Sequence, residues 1–189
     1  MKSEKLIVSE KSLGGSISST RALGVGYSYG LGVGLVILGL ILPAVAHHFH
    51  LPVRILLPMH WSALIAGLTL GPWGGLMVGL ITPLSNWLLT GYPLIIKLVP
   101  MTGELMLYGW LTGLLTRRGL SPYWSLAIAL ILGRIGFLVL SAVNGSMIVH
   151  PWWRFAGITL SPGIFTAIVQ VAALPSLTRR LTQLLGGAR

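Results

Sequence analysis

Apolar residues fill this chain in six long runs, each cut off by a short cluster of polar, glycine or proline residues. The runs cover residues 30–46, 55–70, 73–90, 94–116, 125–143 and 155–174. The first stops at His47, His48 and His50, the second at Gly71-Pro72, and the third at Thr90-Gly91-Tyr92-Pro93. The fourth stops at Arg117-Arg118, the fifth just before Asn144, and the sixth at Pro175, which introduces a basic tail. Runs of this length and polarity predict membrane-spanning α-helices, because a chain in hydrocarbon must satisfy its backbone polar groups within each segment. The second and third runs are short for a hydrocarbon core of about 30 Å, which predicts little tilt or shielding by neighbours. The pattern therefore predicts an all-α integral membrane protein with six transmembrane helices. Residues 1–29 form a polar cytoplasmic leader, and residues 30–189 a single membrane domain.

Composition sharpens that picture. The chain is 54% hydrophobic and only 8% charged, with a mean hydropathy of +0.85, which places it among membrane proteins rather than soluble domains. A net charge of +10 would suit nucleic acid, but the bases gather at segment ends, so the lipid bilayer is the predicted partner and nucleic acid is not. Lys2, Lys5, Lys11, Arg21, Arg117, Arg118, Arg179, Arg180 and Arg189 share one side if there are six spans. Only Arg54 and Arg154 face the other. The positive-inside rule then predicts cytoplasmic N and C termini. The first apolar run begins too far along the chain, and is too long, for a cleaved signal peptide. There are no cysteines, hence no disulfides, thiolate ligands or thiol chemistry. No Walker A loop occurs, so any ATP-driven activity would need a partner.

The polar residues inside the runs are few. Glu104 is the one acid in the apolar region; Glu4 and Glu10 lie in the leader. Lys97 lies seven residues before Glu104 in the fourth run, and Arg134 lies in the fifth. Intramembrane charges are costly unless they pair or line a cavity. Positions 97, 101, 104 and 108 share a helical face, although Pro100 predicts a local bend there. His60, Asn144 and Gln170 add polar groups on the second, fifth and sixth runs. Two readings follow. In one, Glu104 pairs with Lys97 or Arg134 as glue between helices. In the other, these residues line a ligand cavity, and two bases against one acid leave a positive surplus that favours an anionic or zwitterionic ligand. Most tryptophans form an interfacial belt, while Trp152 and Trp153, in the predicted external loop, are candidates to cap a pocket. The adjacent histidines His47, His48 and His50 lack a partner acid or cysteine, so no metal site and no cofactor is predicted. Gly26, Gly30 and Gly34 recur every fourth residue, a spacing that lets helices approach closely within the chain or against a partner subunit.

The order of motifs resembles the substrate-binding S-components of energy-coupling factor (ECF) vitamin transporters. The resemblance rests on Leu57-Pro58-Met59-His60-Trp61-Ser62, Gly71-Pro72-Trp73-Gly74-Gly75 and Gly79-Leu80-Ile81-Thr82-Pro83. It continues through Thr90-Gly91-Tyr92-Pro93, Met101-Thr102-Gly103-Glu104, Leu132-Gly133-Arg134-Ile135 and Ser161-Pro162-Gly163-Ile164. It implies a six-helix subunit of a bacterial or archaeal cell membrane that captures a water-soluble vitamin, of the pantothenate or folate type by the charge argument. It also implies a transmembrane coupling subunit and two cytoplasmic ATPases as partners, and no catalytic residues in this chain. The family's Ala-x-x-x-Ala contact motif is replaced here by Gly26, Gly30 and Gly34. The family's pockets draw on the external half of the later spans, which Lys97, Asn144, Trp152 and Trp153 match by position.

Three alternatives stand beside this reading. A nickel or cobalt S-component would begin with an N-terminal histidine reaching the ion, whereas this chain opens Met1-Lys2-Ser3. An intramembrane enzyme would use His60 and Glu104 as base and acid, without a recognisable nucleophile motif. A structural assembly subunit would use the charged residues only to pair helices.

Overall fold

The computed structural model describes residues 26–46, 48–50, 57–145 and 152–186. Five α-helices follow in order: α1 Gly26–Ala46, α2 Pro58–Thr90, α3 Ile95–Arg117, α4 Pro122–Val143 and α5 Trp152–Gly186. Among the described residues there is no strand. Three of the helices, α1, α2 and α4, are long and apolar enough to cross a membrane. The leader's bases, His47, Arg54 and the loop at 146–151 lie outside the described residues.

Helix α2 takes in both the second and the third apolar run, yet it is not one rod. At Gly71 the backbone leaves helical geometry, with φ 82° and ψ −169°, a left-handed conformation that glycine adopts without steric penalty. Pro72 then restarts the helix, a first-turn position where its missing N–H costs nothing. The two arms lie side by side. Asn86 Nδ2 stands 3.8 Å from Met59 Sδ, whereas a continuous helix would hold these residues about 40 Å apart. Gly67 and Gly75 press against the same Gly109 carbonyl of α3. Ser62 and Thr82, one from each arm, both face Gly39 of α1. The Gly71-Pro72 break read from sequence is thus a tight reversal. Arg117 closes it by donating from Nη2 to the Leu70 carbonyl at 3.1 Å.

Glycine sets how closely the helices pack. α3 runs along both arms of α2, with Gly109 against Gly75, Gly113 against the Gly71-Pro72 backbone and Leu105 against Gly79. On its other side, Gly133 and Gly136 of α4 receive the side chains of Tyr108 and Leu107. α4 begins on Ser121, whose hydroxyl accepts from the Trp124 N–H at 3.5 Å, with Pro122 in the first helical turn. α5 packs more sparsely on α4 than α3 does. The buried core gathers Leu35, Leu64, Val78, Tyr108, Leu126, Leu130 and Leu174 from all five helices.

One further sequence reading changes. Pro175 does not end the last helix, because α5 continues through it to Gly186. Leu174 and Pro175 are buried there, and packing on both outweighs the one lost N–H. Pro100 likewise lies inside α3. Its ring leaves the Ile96 carbonyl without the usual donor four residues on, and Asn144 Nδ2 donates to that carbonyl at 2.7 Å.

Candidate functional site

Glu104 is 1% exposed and stands at the junction of α2, α3 and α4. One turn later on the same helical face, Tyr108 donates its hydroxyl to Glu104 Oε1 at 2.6 Å. Arg134 Nη1, from α4, reaches the same oxygen at 3.0 Å. His60 Nε2, from the first arm of α2, is 3.5 Å from Oε2. That separation sets an imidazole beside a carboxylate as a long ion-pair contact, and neither ring nitrogen of His60 makes a hydrogen bond among the described residues. The His60 and Tyr108 rings sit 5.4 Å apart, tilted by 54°.

Local sequence explains how these bulky groups fit. The Tyr108 ring occupies the space that a Cβ on Gly133 would fill. The Arg134 guanidinium occupies the corresponding space beside Gly163 of α5. Larger residues at either position would displace a member of the cluster.

Arg134 also faces a cavity of about 820 Å³ between α4 and α5. His60, Tyr108, Arg134 and Gln170 supply polar groups to it, with Tyr123 also among the lining residues. The walls are almost wholly apolar, including Leu130, Ile131, Ile135, Leu138, Ile164 and Ile168. Ile131, Ile135, Ile164 and Ile168 are also exposed, so the cavity opens sideways between the two helices. Gln170 is 1% exposed, and its Nε2 makes no hydrogen bond among the described residues. Glu104 stands behind the wall and touches the cavity through Arg134, His60 and Tyr108.

Of the residues singled out from sequence, His60, Glu104, Arg134 and Gln170 come together here. Lys97 does not join them: it is exposed on the first turn of α3 and forms no ion pair among the described residues. The predicted surplus of positive charge is therefore not gathered at the site, where one guanidinium faces one carboxylate. Asn144 caps α4 and ties it to the Ile96 carbonyl. Trp152 and Trp153 begin α5, and their side chains lie outside the described residues. Gly26, Gly30 and Gly34 have open space where a Cβ would sit. Tyr108 is a site residue that the sequence reading placed on the right stripe without assigning it a role; its position four residues after Glu104 was the available signal. Tyr123 and the isoleucine walls carried none, since an apolar residue lining a cavity looks the same in sequence as one facing lipid.

The fold and site define a helical protein with membrane-length apolar helices and a ligand-sized cavity floored by buried polar groups. Compared with models of protein families, with curated protein sequences and with solved structures, the chain gives no match.

Proposed function

We propose that this chain is the substrate-binding membrane subunit of an ECF-type importer in a bacterial or archaeal cell membrane. It captures a small vitamin from outside and passes it inward with a coupling subunit and two cytoplasmic ATPases. The observation that carries this reading is the cavity between α4 and α5, lined by buried His60 and Gln170, whose Nδ1 and Nε2 atoms respectively make no hydrogen bond among the described residues. Buried polar groups without a hydrogen-bond partner on a cavity wall are candidates for meeting a ligand. The cavity volume suits a vitamin-sized molecule.

Six spans with both termini cytoplasmic are part of the proposal. Counting the two arms of α2 separately gives six helical segments. Arg117 caps the Gly71 reversal, in keeping with a basic cytoplasmic end, while Asn144 and Ile96 meet at the opposite end. The missing Walker A loop agrees with energy supplied by partners.

The test is ligand binding by the purified chain in nanodiscs, followed by tryptophan quenching across a vitamin panel. Submicromolar binding of one compound is expected. A folded chain that binds none, and that does not assemble with a coupling subunit and ATPases, would overturn the reading.

A further inference from the structure

We infer that the cavity takes an uncharged ligand: an apolar body carrying one amide-type group, held by that group against Arg134, Gln170 and His60. This rests on the binding role proposed above and names the chemistry of its ligand. The first argument is charge. Arg134 is already compensated by Glu104 at 3.0 Å, so the pair sums to zero. A carboxylate ligand would add an unbalanced negative charge between apolar walls, a costly burial.

The second argument is hydrogen bonding. Gln170 Nε2 is a donor with no hydrogen-bond partner among the described residues, and His60 Nδ1 has none either, while His60 Nε2 faces Glu104 Oε2 at 3.5 Å. An unprotonated imidazole also presents an acceptor nitrogen. An amide offers both a carbonyl oxygen and an N–H, so it satisfies donors and acceptor together. A carboxylate offers acceptors only. Walls built from Leu130, Ile131, Ile135 and Ile164 then select an apolar body by excluding water.

The closing experiment uses a matched pair of probes with one body and two heads, 2-naphthamide and 2-naphthoate. Binding to the full chain in nanodiscs is measured by equilibrium dialysis against empty nanodiscs. The amide should bind more tightly by roughly tenfold or more. Glu104→Gln removes the charge that balances Arg134 and should reverse that order. Gln170→Leu, which keeps the ion pair and guards against a Glu104→Gln chain that does not fold, removes a donor to the ligand carbonyl and should weaken the amide about tenfold; unchanged amide binding in that variant would overturn the inference. Equal or tighter binding of naphthoate by the unaltered chain would overturn the inference and would leave the importer reading standing. Binding of neither probe would overturn it as well. A chain that prefers the amide but takes no vitamin from the panel and does not assemble with a coupling subunit and ATPases would keep this inference and defeat the importer reading.

Discussion

Arg134 of α4 and Glu104 of α3 form a buried ion pair, 3.0 Å from guanidinium to carboxylate. The pair does two things at once. It ties neighbouring helices together through a fully buried carboxylate, and it leaves the partly buried guanidinium on the cavity side with the carboxylate behind. Tyr108 adds a second donor to the same carboxylate oxygen, so Glu104 is the hub through which the cavity floor is held in place.

Removing one partner strands the other. Arg134→Met should destabilise the fold by about 3–5 kcal/mol, because Glu104 stays buried without its main counter-charge. The double change Arg134→Met with Glu104→Met should cost distinctly less than Arg134→Met alone. Reversible unfolding of Arg134→Met, Glu104→Met and the double variant in detergent micelles checks this. A double variant as unstable as the sum of the two singles would show that the residues do not act as a pair.

The close crossings predict a contrast among glycines. Gly75 and Gly109 meet backbone to backbone, so neither neighbour has a flexible side chain to move aside. Gly75→Ala or Gly109→Ala should lower stability by about 1–3 kcal/mol. Gly26→Ala, Gly30→Ala and Gly34→Ala point into open space and should change it by no more than about 0.5 kcal/mol. If those three face a coupling subunit, the same changes should instead reduce its co-purification.

The reversal at Gly71 is testable because the chain has no cysteine of its own. Met59→Cys combined with Asn86→Cys should be joined within one chain by a short bifunctional thiol reagent, since the ends of the native side chains are in contact at 3.8 Å. Mass spectrometry of the digested product identifies the link. A continuous helix would hold the two positions about 40 Å apart and give none.

The helices were legible because hydrophobic length is a strong signal, and Gly71-Pro72 was legible because glycine and proline mark breaks chemically. The pairing of Glu104 was not. Helical spacing alone puts Lys97 and Arg134 on equal terms as counter-charges, and only the packing of α4 on α3 through Gly133, with Gly163 of α5 making room, brings Arg134 in. Lys97 is left exposed at the first turn of α3. Pro175 misled for the opposite reason: a proline ends helices in water, but burial of Leu174 and Pro175 carries α5 onward. The cavity was half legible, in its polar floor and not in its apolar walls.

Asn144 and Pro100 give the last prediction. Pro100 has no N–H for the Ile96 carbonyl, and the Asn144 amide supplies the donor instead, at 2.7 Å. Asn144→Ala should therefore cost about 1 kcal/mol in the native background. Pro100→Ala restores the backbone N–H and lets the helix satisfy that carbonyl itself. In a Pro100→Ala background, Asn144→Ala should then cost much less, and the four chains form a double-mutant cycle whose coupling reads the compensation directly. Equal cost in both backgrounds would mean that Asn144 serves something other than the carbonyl, with ligand contact from the outer end of α4 the first alternative to measure.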